Sequence, residues 1–190
     1  MSARTAPGRL ARQRVQGAVA GGTFGSVFLL ANAQTPLGSI AADLFRGLAV
    51  AGLVLLLIGR RRALTGRIGG RAAADGGRVD LFGRRWRLIV AGEAAALAAG
   101  FVGIRLIGAP NETYLPWTVV VVGLHFVAFH LAGVWQGRIA VTAGVLTTLG
   151  IAGLALAATS ESDWIPFVSG VLAGIALLVG SLSAMRPVLG

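Results

Sequence analysis

Residues 119–135 read VVVVGLHFVAFHLAGVW and contain His125 and His130, the two histidines of the chain. Everything else in the stretch is apolar or small, apart from the indole N–H of Trp135. With the residues before it the segment runs Leu115–Trp135, and about 20 mostly apolar residues suffice to cross a bilayer. Hydrocarbon offers the backbone no hydrogen-bond partner, so a segment of this kind must be helical. The stretch therefore fixes the fold class, and its histidines pose the functional question.

Five more segments have the same character: Val15–Ala33, Leu37–Gly59, Leu88–Gly108, Ile139–Ala158 and Ile165–Met185. Composition agrees. Charged residues make up 13% of the 190, against roughly 25% in a soluble domain. The expected architecture is an all-α, polytopic membrane protein with six transmembrane helices in one domain, residues 15–190, behind an Arg-rich tail, residues 1–14. Without cysteine, disulfides, thiolate metal sites and thiol nucleophiles are excluded.

The charges set the threading. All basic residues are Arg, and the net charge is +10. Arg4, Arg9, Arg12 and Arg14 precede the first span, and nine arginines fall in the loop 60–87. Arg138 lies between the fourth and fifth spans, and Arg186 follows the sixth. The other three connections carry no basic residue; they hold Glu112, or Glu161 with Asp163, or no charge. Basic residues are retained in the cytoplasm, which predicts six passes with both termini inside. All-Arg usage with abundant Ala, Gly and Val fits a GC-rich bacterial genome, so the membrane is read as a bacterial inner membrane. The arginines of the loop are expected to meet anionic lipid headgroups, each gaining about 1 kcal/mol, and to leave no role for nucleic acid. A competing reading takes residues 1–33 as a signal peptide cleaved near Ala31–Gln34, although the apolar stretch exceeds the usual h-region of about 7–15 residues.

Pro36, Pro116 and Pro166 each open a span that runs inward, where the missing N–H costs nothing. The chain thus divides into three helical hairpins of about 50 residues, a repeat-like period. Gly21-xxx-Gly25 and Gly170-xxx-Gly174 have the spacing that lets transmembrane helices approach closely, and a homo-oligomer is compatible with such surfaces.

Six ionisable side chains lie within the spans: Asp43, Arg46, Glu93, Arg105, His125 and His130. Intramembrane charges are costly and face a bundle interior or cavity. Asp43 and Arg46, three apart, share a helix face and can neutralise each other. Arg105, near the outer boundary, can snorkel to water or meet Glu112. Glu93 and His130 each lie about 9 Å from the cytoplasmic end of their spans, so depth pairs Glu93 with His130. His125 is about 140° away from His130 around the helix, and one partner cannot engage both squarely. If their helices pack together, these groups form a ladder across the membrane and a proton or ion path. If not, they are polar clamps that fix helix rotation. Two off-face histidines on one helix supply neither a haem nor a zinc site. No cofactor, metal or enzymatic activity is expected, there being no legible triad and no phosphate-binding loop with its Lys.

With "RRWRLIVAGEAAAL" on the third span, containing Trp86 and Glu93, and "VGLHF" on the fourth, containing His125, the chain resembles small six-helix integral membrane proteins of actinobacteria, an uncharacterised family. The resemblance implies the six-helix fold and no particular activity. It also singles out Glu93 and His125, against the depth reading that selects His130. Two functions are therefore expected: a small permease or proton-coupled transporter using Glu93, His125, His130, Asp43 and Arg46; or a non-transporting, structural or partner-binding membrane protein.

Overall fold

A computed structural model describes residues 6–34, 36–65, 83–133, 139–159 and 161–189, with side chains described for 15–186 of these. Among them all regular structure is helical. The helices are α1 (Ala6–Asn32), α2 (Ser39–Leu64), α3 (Arg84–Leu106), α4 (Tyr114–Leu131), α5 (Ile139–Ala157) and α6 (Ala173–Leu189). A π-helical segment, Pro166–Leu172, leads into α6. Five stretches are long and apolar enough to cross a membrane: α2, α3, α4 with its preceding turn, α5, and α6 with the π segment. The protein is thus multi-pass by length and composition. α1 is not among the five; its glycines, Gln16 and Asn32 dilute its apolar character.

α1 is nevertheless a central helix. It runs antiparallel to α6, with Gly21 against Ser181, Gly25 against Gly174 and Leu178, and Gly170 beneath Asn32. A Cβ on Gly25 would come within 2.8 Å of both the Gly174 carbonyl and the Leu178 nitrogen, so here the two backbones touch. Both sequence motifs of spaced glycines are therefore spent on this one seam. Small residues serve this purpose because lipid is as apolar as leucine, and helices associate in it through close packing. Ala33, at the end of α1, is fully buried.

The most extensive seams join α1 to α6 and α4 to α5. Gly123 packs on Thr147, and Gly150 on Val120, so α4 and α5 are antiparallel. The π segment and α6 complete the bundle against α5 through a hydrogen bond from Ser169 Oγ to the Leu149 carbonyl (3.1 Å). Two helices flank this group of four. α2 rests on α1 and α6, with Ser26 Oγ donating to the Ala49 carbonyl (3.2 Å). α3 packs substantially on α4 alone. The three expected hairpins are thus present as chain neighbours, but the strongest packing runs between hairpins. Following the antiparallel pairs, the start of α1, end of α2, start of α3, end of α4, start of α5 and end of α6 share one face of the bundle.

The element boundaries differ from expectation where water, not lipid, decides them. α2 continues through Arg60–Leu64, and α3 begins at Arg84, because arginine is a good helix former although it ends an apolar run. Helix therefore occupies both ends of the loop assigned to 60–87, and residues 66–82 lie outside the described residues. α4 ends at Leu131, four residues short of the expected Trp135; Gly133 takes a left-handed φ of 67° and its N–H bonds the His130 carbonyl. That is a glycine C-cap. Pro36 precedes α2 by three residues rather than opening it.

Candidate functional site

The α3–α4 seam holds the polar pair. Glu93 lies midway along α3, and His125 two turns before the end of α4. The Glu93 carboxylate contacts His125 Nδ1. Nδ1 is sealed from solvent, and the contact does not amount to a hydrogen bond. The side chains are 14% (His125) and 20% (Glu93) exposed. The pair is the polar contact of an otherwise apolar seam, where a polar group left alone would be costly.

The surroundings fix the ring. Phe129, 2% exposed, stands edge-to-face to His125 with centroids 4.3 Å apart. Trp86, Ile89 and Val90 of α3 pack around Phe129 with Phe126 and Ala132. Farther along, the Trp117 indole covers Gly100, where any Cβ would collide with the ring. Its Nε1 is buried without a hydrogen-bond partner. Phe101 and Tyr114 close the seam edge-to-face at 5.3 Å. At the opposite end Arg85 reaches the Ala132 carbonyl at 3.4 Å, an exposed contact. Arg85 with Ala132, Glu93 with His125, Gly100 with Trp117 and Phe101 with Tyr114 follow one antiparallel register.

That register corrects the depth reading. His130 is exposed and is not the partner of Glu93. The error came from the ends of the two helices: both the start of α3 and the end of α4 lie four residues earlier than expected. Gly133 in the sequence was the signal that could have moved the boundary. Trp117, in the first turn of α4, belongs to the same seam.

Asp43 and Arg46 do pair, at 3.0 Å, but elsewhere. They lie on the outward face of α2, with Asp43 73% and Arg46 46% exposed. Among the described residues α2 and α3 share no packing seam. The candidate residues therefore form two separate pairs on opposite flanks, and no ladder joins them. Arg105 is exposed in the last turn of α3 and makes no ion pair with Glu112 among the described residues. No group of three or more metal-ligating His, Asp or Glu side chains occurs among the described residues.

Comparison with protein-family models, curated proteins and solved structures gives no match to this chain. A functional reading rests on its own residues.

Proposed function

We propose that the chain is a six-pass protein of a bacterial inner membrane that transports nothing and presents helix surfaces to partners within the bilayer. α1 is the sixth pass, retained and not cleaved. Its support is the antiparallel seam with α6, which a leader peptide has no reason to build. Both termini are cytoplasmic. In support, the bundle face defined by the start of α1 and the end of α6 also carries Arg60, Arg61, Arg62, Arg84, Arg85 and Arg87, and such residues remain inside. There they meet anionic headgroups at about 1 kcal/mol each.

The observation that carries the non-transporting reading is the contact of Glu93 with His125 in the one substantial seam of α3. A peripheral helix with few other anchors needs a rotational lock, and a polar pair supplies one. Polar contacts of this kind contribute about 0.6–2 kcal/mol between membrane helices. The separation of this pair from Asp43–Arg46 removes the other stations a path would use. One feature favours the permease reading instead: an acid and a base meet inside a membrane span. Purified protein in liposomes decides between them. The expected result is no proton or ion flux above empty vesicles under pH or salt gradients. A proton flux that the Glu93→Gln variant abolishes would restore the permease reading, with the pair as its proton-binding group.

A further inference from the structure

The outward face of α2 carries a feature that the bundle does not use. Arg60, Arg61 and Arg62 anchor the inner end of the helix at the water boundary. Counting back about 20 residues, the length that crosses the hydrocarbon, reaches Ile40. Asp43 and Arg46 then lie about 4–9 Å below the outer boundary, on a side of the helix that no other described element covers. Around them Ile40, Leu44, Gly47, Leu48 and Ala51 line a shallow apolar recess. Gly47 is open, with no atom near the position a Cβ would take.

A single hydrogen bond, Arg46 Nη1 to Asp43 Oδ1, joins the two side chains. A guanidinium has five N–H donors and a carboxylate about four acceptor sites, so most of the pair's capacity is unspent. Hydrocarbon cannot take it up. What can is a surface carrying one acid and one base at the same depth, and the same face of a second copy is such a surface. Two copies inserted with the same orientation are related by a two-fold axis along the membrane normal, which gives an isologous contact. It sets Asp43 and Arg46 of each copy at matching depth, forming a ring of four alternating charges. The recess at Gly47 lets the helices approach as small residues do elsewhere in membranes. The outer face of α3 is also uncovered, but it carries small apolar residues through Ala91, Ala95, Ala99 and Gly103 and offers no charge to match.

We propose that the outward face of α2 is a homodimer interface in which Asp43 and Arg46 of one copy pair with Arg46 and Asp43 of a second copy. This rests on the membrane-embedded reading given above and names the partner.

The test uses the full chain in two tagged forms, co-expressed and recovered in nanodiscs. Differently tagged wild-type copies co-purify. D43R alone and R46D alone, each presenting like charges to itself, lose co-purification about tenfold. D43R mixed with R46D recovers it, because the mixed pair is again complementary. A mixed pair that fails to recover, or wild-type copies that never co-purify, overturns the proposal. The chain has no native cysteine, so single-cysteine variants provide a second measurement independent of the charge changes. G47C forms a disulfide between copies in membranes, and V102C on α3 does not. Cross-linking through V102C without G47C also overturns the proposal and transfers the contact to α3. A chain found soluble without detergent would instead remove the membrane reading, an outcome distinct from a monomer in the bilayer.

Discussion

The α1–α6 seam and the α3–α4 seam solve one problem in opposite ways. Between α1 and α6 glycines bring the backbones together, and the contact is spread over Gly21, Gly25, Gly170 and Gly174. Between α3 and α4 the backbones are held apart by Trp117, Phe129 and the Glu93–His125 pair, and few side chains carry the contact. The first seam is specified by the absence of side chains and tolerates no addition. The second is specified by particular side chains and should tolerate coordinated replacement. A helix held in the second way is the easier one to release.

The largest expected effect is on the first seam. Gly25→Leu adds a side chain where backbone atoms lie 2.8 Å from a Cβ. It should destabilise the protein by about 3 kcal/mol or more, at the upper end of overpacking costs, read from unfolding in mixed detergent and SDS. If the variant unfolds like wild type, the backbone contact is wrong.

On the second seam, Glu93→Ala leaves His125 without its partner, and about 1–3 kcal/mol should be lost. The double variant Glu93→Leu with His125→Leu should lie within about 1 kcal/mol of wild type, because replacing both partners removes the unpaired group. A double variant as damaged as the sum of its singles would mean that the two residues act independently. Gly100→Ala should cost about 1–2 kcal/mol through displacement of the Trp117 ring, and Trp117→Leu in the same chain should recover part of it. Failure of that rescue would place the strain elsewhere than at the indole.

The smallest effect is expected at Ser26, whose hydroxyl bonds the Ala49 carbonyl between α1 and α2. Ser26→Ala should cost about 0.6 kcal/mol, typical of interhelical hydrogen bonds in membranes. A much larger loss would mean that α2 depends on a polar contact as α3 does.

The comparison also explains what the sequence revealed. Long apolar runs report helices directly, so Ile139–Ala158 was read to within a residue of α5. Spaced glycines reported that α1 and α6 come close to some helix, though not that they meet each other. The partner of Glu93 was a different kind of question. Helix order and depth narrow the choice to two histidines on one helix, but the answer turns on where α3 and α4 end. Those ends are set by Gly133 and by arginines that continue a helix into water, which an apolar count does not register. The geometry pairs His125, and not His130, with Glu93. That Asp43 and Arg46 would lie on the far flank was not legible, because nothing in the order of the helices says that α2 and α3 avoid each other.

The π segment at Pro166–Leu172 has a consequence for the whole of α6. Wider turns amount to one residue too many for an ordinary helix, and one residue is about 100° of rotation. The start of this helix is therefore out of phase with its end. Both parts meet both neighbours: Ser169 and Gly180 address α5, while Gly170, Gly174 and Ser181 address α1. Removing a single residue here would turn the start of the helix by about 100° and part Ser169 from α5 and Gly170 from α1 together.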